Sequence, residues 1–291
     1  MTAASIATVR TAAELRHRLV EWRRDNVRIG FVPTMGALHR GHLELVRQAR
    51  ARTDRVVVSI FVNPIQFGPA EDLATYPRQE ARDLDALSAQ AADLAYLPDV
   101  NEIFPAGFAT RVSVGGISDG LCGAARPGHF EGVATVVTKL LNQVQPDSAF
   151  FGEKDFQQLQ VIRRLVADLG QPVDIESVAT VREEDGLALS SRNAKLSTAG
   201  RAVASGLYRA LERLAGEVAA GEEIAAAEAR AGTELAAAGF ERIDYVEVRL
   251  ADTLSRPGRR WEPAQGAARA FGAALIEGVR LIDNVALPDR P

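Results

Sequence analysis

The chain has 291 residues, 47% apolar and 25% charged, the proportions of a soluble globular protein with room for one large or two modest domains. A net charge of -4 excludes a general nucleic-acid binder, which needs a basic face, and a single cysteine, Cys122, excludes a disulfide framework and fits a reducing compartment. No stretch approaches the ~18 apolar residues of a membrane span, and the N-terminus has no sustained apolar leader, so the expectation is a cytoplasmic enzyme with neither membrane nor nucleic-acid partners.

Apolar runs at residues 27–32, 56–62 and 149–151 alternate with helical patterns at 43–51, 81–91 and 133–144. That alternation predicts a parallel sheet covered on both faces by helices. Residues 101–126 break the rhythm with glycines, Pro105 and a β-like piece at 110–114, and read as an excursion bordering the site. Helical periodicity returns at 155–169, is stopped by Gly170 and Pro172, and gives way to a strand at 173–178. Beyond residue 180 come two Ala-rich helices, 199–220 and 222–238, then alternating runs at 243–249, 268–276 and 279–285 that predict a small antiparallel sheet. The change of texture places a domain boundary near Val181, giving domains of residues 1–180 and 181–291.

The segment Pro33-Thr34-Met35-Gly36-Ala37-Leu38-His39-Arg40-Gly41-His42 directly follows the apolar run 29–32. A buried strand that ends in a glycine-containing turn and opens a helix offers unpaired N–H groups and a positive dipole end to phosphates. Gly36 and Gly41 remove a Cβ from the path of a ligand. His39 and His42, three apart, share one face of the first helical turn and can address one phosphate. Taken alone they are equally a pair of solvent-facing histidines at a helix start, and as a metal pair they lack a Cys or acidic partner at the usual spacing. A second turn, Gly152-Glu153-Lys154-Asp155, follows the run ending at Phe151 and brings a mobile positive charge suited to phosphate. Its plain alternative is a surface turn capped by Asp155. Two such turns can flank one ligand.

These segments resemble the pantothenate synthetase family of the nucleotidyltransferase superfamily. The resemblance is carried in one chain order by PTMGALHRGH at 33–42, FVNPIQF at 61–67, YPR at 76–78, RPGHFEGVATVV at 126–137, FFGEKDFQQL at 150–159 and LSSRN at 189–193. It implies an α/β fold, a Rossmann-like doubly wound parallel sheet with a smaller, lid-like C-terminal α+β domain, in a homodimeric ligase. ATP would activate pantoate as an acyl-adenylate, releasing pyrophosphate, and β-alanine would then displace AMP to give pantothenate, the coenzyme A precursor. His42, assisted by His39, would donate to phosphate oxygens as charge develops, and Lys154 would face the polyphosphate. The ATP site would run through Pro33, Thr34, Met35, Gly36, Ala37, Leu38, His39, Arg40, Gly41 and His42, then Gly152, Glu153, Lys154 and Asp155, with Val181 meeting adenine through its backbone. Leu189, Ser190, Ser191 and Arg192 would complete it.

Gln66 and Gln158 would bind pantoate through their amides, Gln66 lying close to β-alanine too. Without the match, a Ser-Ser-Arg-Asn run is a turn or helix start and a buried glutamine serves backbone groups. The chain departs from the family pattern in three places. Leu189 replaces a usual Met, Arg40 replaces a usual acidic residue, and Arg82 leaves Asp83 alone of an acidic pair implicated near magnesium. Mg2+ is expected with ATP, and Asp83 is its candidate ligand. Two alternatives stay open: a nucleotidyltransferase that stops after nucleotide transfer, and a catalytically inactive nucleotide-binding regulator. The first leaves Gln66 and Gln158 without a task, and the second leaves His42, Lys154 and Arg192 without one.

Overall fold

The structure is a computed structural model describing residues 6–68 and 73–289; part of the N-terminal stretch read for a leader, residues 1–5, lies outside them. In chain order the elements are β1 (Ala7–Val9), α1 (Ala12–Arg24), β2 (Ile29–Thr34), α2 (Arg40–Arg52), β3 (Arg55–Ile60), α3 (Glu80–Ala89), β4 (Leu94–Tyr96) and α4 (Val100–Ile103). They continue with α5 (Cys122–Ala125), α6 (His129–Val144), β5 (Ser148–Gly152), α7 (Phe156–Asp168) and β6 (Asp174–Val178). The last are α8 (Thr198–Ala204), α9 (Gly206–Ala219), α10 (Ile224–Ala238), β7 (Arg242–Leu250), β8 (Ala268–Ile276) and β9 (Val279–Ala286). Contacts divide the chain into two compact units. The first takes residues up to Gly115, Arg126–Glu153 and Val161–Ala179; the second takes Gly116–Ala125, Lys154–Gln160 and everything from Thr180. The division therefore falls inside α7.

The first unit is built on a six-stranded sheet in the order β1-β4-β3-β2-β5-β6, every described pair parallel. Continuous apolar runs such as Val56-Val57-Val58 suit strands buried on both faces. Val32, Val58, Ala95 and Phe150 on one face pack with Leu45, Val46 and Ala49 of α2 and Leu87 of α3. The alternate residues Phe31, Val57 and Ala149 are also fully buried, with α6 packed against β2 and α1 against α6. This is the expected Rossmann-like, doubly wound α/β architecture.

The short α4, β1, β4 and α1 lie outside the sequence expectation. β1 and β4 are three residues each, too short for a period to register. α1 buries only Leu15 and Leu19, so its apolar stripe is thin. Its legible signal is a capping box: Thr11 Oγ1 accepts from Glu14 N at 3.2 Å, and Glu14 Oε2 accepts from Thr11 N at 3.1 Å. The β-like piece at 110–114 is not a strand. Its Val112 N donates to Thr135 Oγ1 and its Ser113 Oγ to Glu131 Oε2, so it meets side chains of α6 where a ladder would need a neighbouring backbone.

In the second unit the three alternating runs form the antiparallel sheet β7-β8-β9 as expected. Its core joins Val248, Ala270 and Ala274 of the sheet to Leu207, Leu211 and Leu214 of α9 and Leu235 of α10. The expected single helix 199–220 is broken at Ser205, where α8 ends and α9 begins. A Ser-Gly pair is a common kink site; Ser205 is 2% exposed, its Oγ accepting from Arg209 Nη1 at 2.7 Å.

A short hairpin, with Leu189 N donating to Val181 O and Glu183 N to Leu187 O, carries the chain to the Ser190 segment. Gly186 in its turn has φ 89°, with Tyr208 packed where a Cβ would be. Asp185 beside it forms a two-point pair with Arg201, at 2.6 and 3.0 Å. The hydrogen-bonded Arg201 guanidinium holds the Asp185 carboxyl at about 2, below its ordinary 3.8. Stability from such a depressed carboxylate is present above the unfolded value and lost as pH falls through the folded one. Asp185→Asn is therefore expected to melt at lower temperature than the unaltered protein at neutral pH. The gap should close as pH falls from 3.8 to about 2. Thermal melts across that range check this, and a gap independent of pH would refute it.

Candidate active site

β2 and β5 are adjacent, yet the chain leaves β2 toward β3 on one side and β5 toward β6 on the other. The carboxyl ends of this pair are therefore the switch point of the sheet, where ligands of open α/β sheets bind. The turn after β2 is held almost entirely by side chains. Thr34 Oγ1 donates to Ser59 O at 2.8 Å and accepts from Gly36 N at 3.2 Å. Ala37 N donates to Asp83 Oδ2 at 2.9 Å and Leu38 N to Asp83 Oδ1 at 2.8 Å. His39 N donates to His42 Nδ1 at 3.3 Å, and Gly41 N to His39 Nδ1 at 3.1 Å. Gly36, Ala37, Leu38, His39 and Gly41 thus present no unpaired N–H to a phosphate, contrary to the sequence expectation. Even half-buried, the turn meets these donors with its own neighbours.

What this turn can offer a ligand is accordingly its side chains. The His39 and His42 rings lie 4.0 Å apart, tilted by 37°. Because each Nδ1 accepts a backbone N–H, each neutral ring carries its proton on Nε2. Arg40 between them is exposed. Gly36 has φ 80°, and a Cβ there would lie 3.0 Å from Asp83 Oδ2 and from Ile60 Cγ2, so backbone conformation and packing both require glycine. Its glycine serves the turn itself where ligand clearance was anticipated.

Gln66 ends a short 3-10 turn, Pro64–Gln66, and is 9% exposed. Asn63 Nδ2 donates to Gly132 O at 3.1 Å and to Gln66 Oε1 at 2.9 Å. A carbonyl only accepts, so Gly132 fixes which way the Asn63 amide faces, and Asn63 in turn fixes Gln66 with its NH2 group turned away from the oxygen side. One of those hydrogens reaches Met35 Sδ at 3.3 Å. His129 Nδ1 meets Gln66 O at 3.0 Å and His129 Nε2 meets Arg126 Nη1 at 2.9 Å. A guanidinium only donates, which puts the His129 proton on Nδ1. A Cβ on Gly132 would fall 2.5 Å from Ile65 O and 2.6 Å from Gln66 Cα, so α6 and the Gln66 turn touch backbone to backbone.

Asn63, 1% exposed, keeps its Oδ1 without a partner among the described residues. Its role, and that of Gly132, escaped the sequence reading. Both lay inside quoted motifs, but only the fold brings them together.

Asp83, the candidate magnesium ligand, is 2% exposed, and both its oxygens are engaged by the turn. Among the described residues no three His, Cys, Asp or Glu side chains gather as metal ligands. The residues present do not fit a protein-held magnesium ion at Asp83.

Gly152 ends β5, and a Cβ there would meet nothing within 4 Å. Of the expected groups, Lys154, Asp155, Gln158, Val181, Leu189, Ser190, Ser191 and Arg192 belong to the second unit. Lys154 Nζ stands 3.7 Å from Asp155 Oδ2, with its backbone O accepting from Asn284 Nδ2 at 3.0 Å. The neighbouring Asp283 is buried and its carboxyl is pushed up by burial, against the downward pull of Arg182, bound at 2.6 and 3.0 Å, and of Lys154. Gln157 has both amide ends engaged, Oε1 by Cys122 N and Nε2 by Ile117 O and Gly120 O. Gln158, half-buried, makes no such bond among the described residues. Ser190 Oγ accepts from Arg192 N at 3.3 Å, which leaves its O–H to donate elsewhere. Val181 O is engaged by Leu189 N.

A doubly wound sheet with paired Nε2–H histidines and an oriented amide at its switch point defines a nucleotide-binding α/β enzyme. The Pantoate-beta-alanine ligase family matches residues 7–286, and the chain belongs to that family. It is 54% identical to the pantothenate synthetase of Cereibacter sphaeroides over 277 residues, 95% of this chain and 98% of the relative. Among solved structures it is similar to pantothenate synthetase from Thermus thermophilus, with TM-score 0.90 and 48% identity over 97% of this chain and 99% of that one. The pantoate–β-alanine ligase of Francisella tularensis, solved with β-γ ATP and β-alanine, matches with TM-score 0.81 and 32% identity over 97% of this chain and 98% of that one.

Two outcomes follow from the geometry. Nitrogen-15 spectra of the histidine rings should show His39 and His42 as Nε2–H and His129 as Nδ1–H when neutral; the reverse tautomers would contradict the bonds described. Gly132→Ala forces a methyl into backbone, an overpacking that costs about 1–3 kcal/mol, and by displacing the Gln66 turn should also raise a substrate KM. Denaturant melts and steady-state kinetics check it, and unaltered values in both would contradict the contact.

Proposed function

We infer that the chain joins pantoate to β-alanine in two steps. The pantoate carboxylate attacks the α-phosphorus of ATP, pyrophosphate leaves, and the amine of β-alanine then attacks the pantoyl-adenylate carbonyl and expels AMP. Gln66 and Gln158 hold pantoate through their amides, Gln66 also lying near β-alanine. His42 and His39 donate through Nε2 to phosphate oxygens as charge grows there. Lys154 and the Ser190-Ser191-Arg192 run take the polyphosphate, with Gly152 leaving room for the nucleotide and Val181 meeting adenine. Mg2+ enters with ATP as the metal of the nucleotide's own complex. The reading extends to a homodimer working in the cytoplasm, where ATP is at hand.

The observation that carries this reading is the orientation of Gln66. With Oε1 engaged by Asn63 and one hydrogen on Met35 Sδ, the amide keeps one N–H to give. A neutral donor suits a carboxylate that must become a nucleophile. A bidentate Arg would bind it more tightly but would lose that ion pair as negative charge left the attacking oxygen, favouring ground state over transition state. The adjacent pair Gln157 and Gln158 supports the same logic, the first occupied by backbone and the second not. A nucleotidyltransferase that stops after nucleotide transfer has no use for two such amides.

ATP and pantoate without β-alanine should therefore exchange labelled pyrophosphate into ATP, and added β-alanine should discharge the adenylate as pantothenate and AMP. No exchange without β-alanine, alongside full activity with it, would overturn the stepwise reaction. Gln66→Glu keeps the Asn63 bond but sets a charge against the pantoate carboxylate, and should raise KM for pantoate far more than for ATP. Lys154→Ala should do the opposite. His42→Ala should cut the exchange rate by about 10²- to 10³-fold. Identical substrate profiles for the Gln66 and Lys154 variants would remove the division of labour between those two side chains, and unimpaired exchange in the His42 variant would remove its role as a donor.

A further inference from the structure

We propose that Asp83 is a positioning residue: from the first turn of α3 it holds the turn after β2 in its left-handed conformation and so sets His39 and His42 for catalysis. Its two carboxylate oxygens accept consecutive backbone amides, Ala37 N at 2.9 Å and Leu38 N at 2.8 Å. Ala37 has φ 50° and Gly36 φ 80°. For Ala this region costs free energy, and such a conformation persists only where surrounding groups impose it. Asp83 supplies that constraint with two charge-assisted hydrogen bonds at 2% exposure.

Neighbouring atoms are shaped to admit the carboxylate. The missing Cβ of Gly36 is what lets Oδ2 approach, since a methyl would sit 3.0 Å from it. Near the amino end of α3, the helix dipole favours the negative charge, which among the described residues has no ion-pair partner. Leu38 is followed at once by His39, the N-cap of α2, whose ring and that of His42 close the reciprocal cap. A displaced Leu38 amide therefore moves the start of α2 and both rings with it. Both Asp83 oxygens are taken by backbone amides, so its proposed part is to position the turn.

The effect on catalysis rests on the roles proposed for His39 and His42; the brace itself does not, and the two are measured separately. Hydrogen exchange on the unaltered enzyme without ligands should find the amides of Ala37 and Leu38 protected. Exchange at the rate of exposed loop amides would overturn the proposal, whether or not any variant folds. Asp83→Asn keeps the shape but offers one acceptor oxygen where two are used, turning an NH2 group against a backbone N–H. It should speed exchange at those two amides and lower the rate of pyrophosphate exchange by about 10- to 100-fold, the loss of a hydrogen bond to a charged group. The Mg2+ concentration giving half-maximal rate should stay within about twofold of the unaltered enzyme's. A manyfold rise in that concentration with unaltered amide protection would make Asp83 a metal ligand and overturn the proposal, as would unchanged exchange and rate together. Absence of pyrophosphate exchange in the unaltered enzyme would instead count against the stepwise reaction.

Discussion

A half-buried turn set between a strand and two helices finds acceptors for its own backbone N–H groups, and the structure around the β2 end follows from that pairing. Between Gly36 and Gly41 five amides are answered by Thr34, Asp83, His42 and His39. Satisfying them ties β2, α2 and α3 together at one point of the sheet. It also moves the chemistry outward. With the backbone engaged, what the turn can offer a ligand is its side chains, and the same bonds place the neutral imidazole protons on Nε2. The histidines are thus helix caps, and the caps set their tautomers.

The same reasoning sets the Gln66 amide. Its direction is inherited from a backbone carbonyl through an asparagine, Gly132 O to Asn63 to Gln66, and its backbone is pinned by His129. A glutamine free to flip would present its oxygen half the time; here the donor face is fixed in advance, so less ordering would remain to oppose the binding proposed for it. Gln157 and Gln158 show the contrast within two residues. One closes a backbone gap left by the chain between Ile117 and Cys122, and the other keeps its amide for use elsewhere.

Membership of the pantoate–β-alanine ligase family, by a match spanning residues 7–286, narrows the alternatives that the His-x-Gly-His pattern alone left open. That pattern is short and shared by enzymes that only transfer a nucleotide. The proposed hold on the second substrate rests on the glutamines and on the residues that orient them.

The sequence by itself determined the alternation of strands and helices, the parallel sheet, the antiparallel sheet near the end and the order of the motifs, because apolar periodicity and glycine placement are local properties of a chain. It showed no strand where three residues suffice, as in β1 and β4, and it joined α8 to α9 because a Ser-Gly pair inside an Ala-rich run does not by itself declare a break. Only the tertiary structure decided who answers whom. Asp83 lies 46 residues from Ala37, His129 lies 63 from Gln66, and Gly132 lies 69 from Asn63. Nothing local in the chain distinguishes a carboxylate that could face a metal from one that caps a turn, since both are an Asp at the start of a helix. The difference is burial and the direction of two backbone N–H groups, and these exist only once the strand, the turn and the helix have been brought together.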